Sequence, residues 1–315
     1  MAKINCLGVL VVDALSATLT HYPLPGKVPQ MVTESLRLMP GGGAANTASA
    51  LGRMGMSVAL FSKLGHDLFG EFVLRELAAA NVDTAGVVVS DGDTTPFTYV
   101  AIHPGGERTF IHTPGANLTL TLDEFDREAL LDADFLLYQD LWVLPGADGK
   151  PAAKLLAEAR HRGVTTLLDE CWGLGPNRET WEAVLPGVDY ALPSLQEMAA
   201  IYPGRSKQQI ADSAHRRGVH GVVLKAGAQG CFVSDGASMV RIPSCAGEVV
   251  DTTGAGDCFN AGFVAGLTRG LPLVDAARMG TLASAACISR VGGSAGIPPL
   301  AELLVRLPET RIEEC

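Results

Sequence analysis

Apolar and polar positions along the chain switch between two periods, and the switches mark out the elements. The run Ile4 to Val12 is apolar and β-branched, which predicts a buried strand ending at Asp13. Ser57 to Ser62 reads as the next strand, and Phe69 to Ala80 as an amphipathic helix with Phe72, Leu74 and Leu77 on or near one face. From Leu122 the pattern becomes regular. Helix Asp123 to Leu131 precedes strand Phe135 to Tyr138, and helix Ala152 to Arg162 precedes strand Val164 to Leu168. A helical turn near Thr180 to Val184 precedes strand Tyr190 to Leu192, and helix Lys207 to Arg217 precedes strand Val222 to Leu224. Alternation at this pace predicts βαβ units, hence a parallel sheet with helices on both faces. Two period-2 stretches, Thr95 to His103 and Arg108 to Thr113, flank a Pro-Gly-Gly-Glu turn, which is hairpin chemistry. With the polar and apolar residues that interleave between Ser16 and Pro40, they predict a small sheet inserted into the main one. No linker divides the chain and no fixed period repeats, so residues 1–315 read as one α/β domain, with lid segments at approximately 14–40 and 93–113.

Composition narrows the possible partners. A chain of 315 residues that is 47% hydrophobic can bury a large core, and 36 glycines suit close backbone packing and many strand-to-helix turns. With 24 basic against 34 acidic residues the formal charge is −10, which argues against nucleic-acid binding. The seven cysteines are dispersed, with no C-x-x-C and no histidines at zinc spacing, as expected of reduced thiols in the cytoplasm. The N-terminal segment has no credible signal peptide, and no apolar run is long enough to span a bilayer, so no membrane partner is expected.

The chemistry concentrates in Val250 to Phe263, VDTTGAGDCFNAGF. A β-type entry at Val249 and Val250 runs into Gly254, Ala255 and Gly256, and the spacing of Phe259, Phe263, Val264 and Leu267 announces a helix. Such a turn aims unpaired N–H groups and the positive helix end at one point, so it forms an anion hole. An aspartate at its mouth, Asp257, either caps the helix or takes a proton from an attacking hydroxyl. Asp13, at a strand end, is a candidate for binding a ligand, since open α/β sheets bind ligands at the carboxyl ends of their strands. Acids at further strand ends are Asp140, Asp169 with Glu170, and Glu197. The run Gly41 to Asn46 leads into a helix but has Asn46 where a dinucleotide fingerprint needs its third glycine, so a dehydrogenase is disfavoured, and no Walker A sequence is present. Lys225 to Gly230 follows a buried strand and reads either as a phosphate-side turn or as a plain hairpin with Cys231 to Ser234 as partner strand. Arg108 reads as a solvated hairpin charge, with reach toward an acceptor as the alternative.

DTTGAGDCFNAGF closely resembles the C-terminal signature of the ribokinase-like (PfkB) carbohydrate kinases, and GGGAANTASALGRMG resembles their N-terminal one. The resemblance implies a ribokinase-like three-layer parallel-sheet domain with a small β lid. It implies transfer of the γ-phosphoryl of ATP to a hydroxyl of a small sugar such as ribose, fructose, a related keto sugar or a sugar acid. Asp257 would be the base, with the amides of Gly254, Ala255 and Gly256 as anion hole. Gly42, Gly43 and Asn46 would join Asp13 in holding the sugar, and Lys225, Gly227 and Gly230 would lie against the nucleotide. Ser194 to Glu197 stands where the family has Asn-x-x-Glu, so Glu197 would organise Mg2+ through water, with Ser194 in place of asparagine. Asp251 and Thr253, with carbonyls of the glycine-rich loop 290–299, would hold a monovalent cation, making K+ a further candidate cofactor. A homodimer through the lid is a further expectation. A nucleoside kinase of the same fold and a non-catalytic sugar or nucleotide sensor are the alternatives.

Overall fold

The structure is a computed structural model that describes residues 1–17, 19, 26, 32–104, 108–173 and 175–315. In chain order it runs β1 (Lys3–Leu7), β2 (Val11–Ala17), β3 (Ser35–Gly41), α1 (Gly43–Arg53), β4 (Ser57–Gly65), α2 (Leu68–Ala79) and β5 (Val87–Ser90). It continues through β6 (Phe97–Ile102), β7 (Arg108–Thr113), α3 (Arg127–Leu131), β8 (Phe135–Leu141), α4 (Lys150–His161), β9 (Thr165–Glu170) and α5 (Arg178–Val184). Next come β10 (Tyr190–Ala191), α6 (Leu195–Ile201), α7 (Lys207–His215), β11 (Gly221–Lys225), β12 (Cys231–Ser234) and β13 (Met239–Ile242). The chain ends with α8 (Ala255–Thr268), α9 (Leu273–Ile288), α10 (Leu300–Arg306) and β14 (Glu313–Glu314).

Among the described residues ten strands form the central sheet, in the order β14-β13-β12-β11-β10-β9-β8-β1-β4-β5. From β11 to β5 all pairings are parallel, and β12, β13 and β14 extend the sheet antiparallel. Successive side chains on a strand point to opposite faces. Leu137, Leu167 and Val223 accordingly join one apolar cluster with Leu51, Phe263 and Leu282 of the helices on that side. Their neighbours Leu136, Leu168 and Val222 join a second cluster with Leu155, Trp181 and Ile210 on the other side. The result is three layers. The chain goes from β1 out to β4 and β5, then returns to β8 on the other flank of β1, so the topological switch point lies between β1 and β8, where open α/β sheets bind ligands. No helix among the described residues is long and apolar enough to cross a membrane.

A second, four-stranded sheet has the order β3-β2-β6-β7. Its existence corrects the reading of Ile4 to Val12 as one strand. The run breaks at Gly8: a side chain there would collide with the Asp140 carboxylate and the Gln139 carbonyl at the neighbouring strand end. The chain therefore leaves the central sheet, and Asp13 lies inside β2 of the small sheet, paired with Met39 and Thr98, instead of at the end of a central strand. The lid segment between Thr20 and Met31 lies largely outside the described residues, as does the 105–107 turn. Val249 and Val250 do not form a strand either. Both are about half exposed, and the Val250 and Asp251 amides donate to the Ile288 carbonyl at the end of α9. Helix α6 was not apparent in the apolar pattern; Ser194 begins it by accepting the Glu197 N–H at 3.2 Å.

Candidate active site

Helices α1 and α8 start at the same crest of the sheet and are tied together there. Asn46 Nδ2 donates to Asp257 Oδ2 at 2.8 Å, and Thr47 Oγ1 donates to the Asp257 carbonyl at 3.0 Å. Gln139, at the end of β8, supports Thr47 from behind with a 2.9 Å bond. The two glycine signatures, far apart in sequence, thus meet on one carboxylate. Asn46, expected on sugar hydroxyls, has its amide on the aspartate.

The backbone around Asp257 requires glycine. Gly254 precedes α8 with φ +73°, in the left-handed region, and a side chain on it would press on Gly293. Of the three amides named for the anion hole, the Ala255 N–H turns back to the Thr252 carbonyl at 3.3 Å, while the first-turn amides of a helix have no partner inside it. Burial raises the Asp257 carboxyl to about 8, with the Asp140 charge adding to the shift and the Asn46 hydrogen bond opposing it.

At the start of α1, Gly42 has φ +92° and leaves no room for a side chain beside the Val9 carbonyl. The helix N-terminus is already filled by an internal anion. Asp140, itself at φ +60°, accepts the N–H groups of Val9, Gly43 and Ala44 at 2.8, 3.1 and 3.1 Å. Burial still lifts its carboxyl to about 7 against those bonds. Gly43 therefore serves the strand-end aspartate, a role that spacing alone did not indicate. Asp13 faces the crest from the small sheet and is raised to about 6 by burial, partly offset by the Thr98 hydroxyl and the Arg108 charge.

On the other side of the α8 N-terminus lies a cavity of about 570 Å3, lined by Lys225, Gly227, Thr252, Gly256, Phe259 and Ile288 among others. Lys225, at the end of β11, ion-pairs with Asp169 at 2.6 and 2.7 Å, and Asn260 Nδ2 also donates to Asp169. A methyl on Gly256 would lie 3.5 Å from the Lys225 ammonium, so the charge stands beneath the glycine turn. Asn260 follows Asp257 by three residues, one helical turn on the same face, and that spacing was the signal in the sequence. Gly227 and Gly230 both line the cavity, and Gly230 (φ +87°) is also required by the hairpin between β11 and β12.

Glu197 is buried beside Glu170, whose Oε1 accepts the Ser194 N–H at 2.7 Å while its Oε2 is buried with no hydrogen-bond partner among the described residues. Burial and the neighbouring Asp169 and Glu197 charges push the Glu170 carboxyl well above the usual range. No group of three or more His, Cys, Asp or Glu among the described residues is arranged to hold a metal ion by itself. An orphaned carboxylate oxygen beside a second acid fits a hard cation that brings water and donor phosphates as its other ligands.

Asp251 is anchored by the Thr253 N–H at 2.7 Å and the Gly292 N–H at 3.1 Å. Arg108 is not a solvated hairpin charge. Only 13% of its side chain is exposed, and its guanidinium bonds the Asp251 carboxylate and the Thr253 hydroxyl.

A three-layer sheet whose switch point gathers an anion turn, a carboxylate and an apolar cavity defines a small-molecule kinase of the ribokinase fold. The chain belongs to the pfkB family of carbohydrate kinases, whose profile matches residues 1–300, and it is accordingly a phosphotransferase with an alcohol group as acceptor. It is 27% identical over 317 residues to the ribokinase of Lactococcus lactis, covering 99% of each chain. The fold matches Arabidopsis thaliana ribokinase solved with ribose and ATP, with TM-score 0.82 and 21% identity over 97% of this chain and 98% of that one. It also matches a putative ribokinase II from E. coli solved with ATP and Mg2+, with TM-score 0.82 and 22% identity over 98% of this chain and 100% of that one.

Proposed function

We propose that the protein transfers the γ-phosphoryl group of ATP to a hydroxyl of a monosaccharide, with Asp257 as the base. The observation that carries this reading is the position of Asp257. It stands in the first turn of α8, whose Ala255 and Gly256 line the 570 Å3 cavity, which suits a purine nucleotide, and its carboxylate meets Asn46 of α1 on the side we assign to the sugar. The acceptor oxygen bonds to phosphorus as the bond from phosphorus to the β,γ-bridging oxygen breaks. Its proton passes to the Asp257 carboxylate and ADP leaves. The turn amides and Lys225 stabilise charge on the phosphoryl group in flight. Asp13 and the 41–43 turn hold sugar hydroxyls, with residues 14–40 and 93–113 acting as the lid that keeps water out. Magnesium, held through water by Glu197 with Glu170 beside it, would neutralise the donor phosphates.

Asp13 and Asp257 are the acids assigned to the sugar side, and Arg108 is committed to Asp251. A neutral polyol fits beside these acids better than a sugar acid or sugar phosphate, whose charge would face like charge. Leu36, Leu38 and Ile111 are exposed on the face of the small sheet opposite Asp13, and we assign that face to a lid-to-lid homodimer. All seven cysteines are free, in keeping with a reducing, cytoplasmic setting.

The test is ADP release from Mg-ATP across pentoses, hexoses, ketoses, sugar acids, sugar phosphates and nucleosides. Release is expected with a neutral monosaccharide, falling on the order of 10² to 10⁴-fold in Asp257→Asn with both ligands still bound. Near-normal turnover by that variant would remove Asp257 from the chemistry. Acceptor-independent behaviour with retained binding would point to a sensor, and stimulation by nucleosides alone to a nucleoside kinase.

A further inference from the structure

The oxygens that a monovalent cation would gather beside the anion turn are already engaged. Asp251 Oδ1 takes the Thr253 N–H and the Arg108 guanidinium, and Oδ2 takes the Gly292 N–H. The Thr253 hydroxyl accepts from the other arm of Arg108. The carbonyls of Thr253 and Gly293 both face the Cys287 thiol, at 3.3 and 3.0 Å. A potassium ion would have to displace a guanidinium that already bonds the Asp251 carboxylate and the Thr253 hydroxyl, or share one carboxylate with it against like-charge repulsion. The residues present do not fit that ion.

We propose that Arg108 is the resident cation of this site and that turnover needs no monovalent metal ion. Arg108 acts as a positioning residue. Its fork holds the side chains of Asp251 and Thr253, two of the three residues that lead into Gly254, so the turn keeps its geometry before nucleotide arrives. Arg108 begins β7 and Asp251 precedes α8, so the same ion pair fastens the small sheet to the anion turn. Unlike an exchangeable ion, the charge is covalently part of the sheet that covers the acceptor, and its strength is set by the fold instead of by the salt outside. This inference rests on the kinase reading above.

The experiment uses the full chain in buffer free of potassium, with tetramethylammonium as the balancing cation and KCl added stepwise. Acceptor-dependent ADP release by the wild type is expected to be flat with KCl. Arg108→Met, which keeps the aliphatic packing and removes the charge, is expected to lose roughly tenfold or more without potassium. It should regain a substantial part of the rate as KCl rises, whereas Arg108→Lys should stay above Arg108→Met throughout. Thermal unfolding gives a readout independent of turnover: KCl should raise the melting temperature of Arg108→Met and leave that of the wild type unchanged. A wild-type rate or melting temperature that climbs with KCl but not with the tetramethylammonium salt would overturn the proposal. So would an Arg108→Met enzyme that is fully active without potassium. If no acceptor stimulates release in any variant, the kinase reading fails, and the melting comparison still decides which cation the site holds.

Discussion

Replacing Asn46 with alanine isolates the interaction that joins the two glycine signatures. Its amide donates to Asp257 Oδ2 at 2.8 Å, a hydrogen bond that favours the charged carboxylate. Bonds to charged groups contribute about 1.5–3 kcal/mol, and one pKa unit corresponds to about 1.36 kcal/mol, so the Asp257 carboxyl should rise by about 1–2 units. From about 8 in the wild type it would move further above neutrality. A base must be deprotonated to act, so at pH 7 the active fraction should fall by about 10- to 100-fold, and the loss should shrink as pH rises. The assay is kcat/KM for the best acceptor across pH, because that ratio reports the pKa of the free enzyme. The wild-type profile should climb through about 8, and the Asn46→Ala profile should be displaced to higher pH. If Asn46 served only to hold a sugar hydroxyl, KM would rise at every pH with the midpoint unmoved. A midpoint that stays put, or moves down, refutes the reasoning.

Asp257→Asn, slow in catalysis, should be more stable than the wild type at alkaline pH. The folded carboxyl holds its proton to about 8 against an ordinary 3.8, so stability is full below the ordinary value and drains away as pH rises through the folded one. The gap in melting temperature should widen from pH 5 to pH 9; a constant gap would contradict the burial of this charge. Lys225→Met leaves Asp169 buried without its cation, which typically costs about 3–5 kcal/mol. Adding Asp169→Asn should recover most of that stability in denaturant unfolding but not the affinity for ATP, and recovery of both would assign Lys225 a purely structural role. Glu197→Gln should raise the Mg2+ concentration needed for half-maximal rate while leaving KM for the sugar near its original value; an unchanged Mg2+ requirement would remove Glu197 from the metal site.

The sequence by itself determined the alternation of strands and helices and the two glycine turns. These are local properties: period, β-branching and glycine content act within one element or one turn. Cys231 to Ser234, read as a partner strand, is strand β12. The fold class and the position of Asp257 at a helix start were legible for the same reason. Tertiary structure decided which groups those turns address. Asn46 lies 211 residues from the aspartate it bonds, and Arg108 lies 143 residues from Asp251, separations at which no periodicity carries information. Gly8 shows the effect within a single apolar run. Asp140, Ala44 and the Gln139 carbonyl, brought there by other elements, leave no room for a side chain, and the break at this glycine puts Asp13 in the small sheet instead of the central one. Glu197 and Glu170 likewise became a pair only when α6 packed against the end of β9. A chain pattern specifies what an element is, but the sign and partner of a buried charge follow from what other elements bring beside it in a low-dielectric interior.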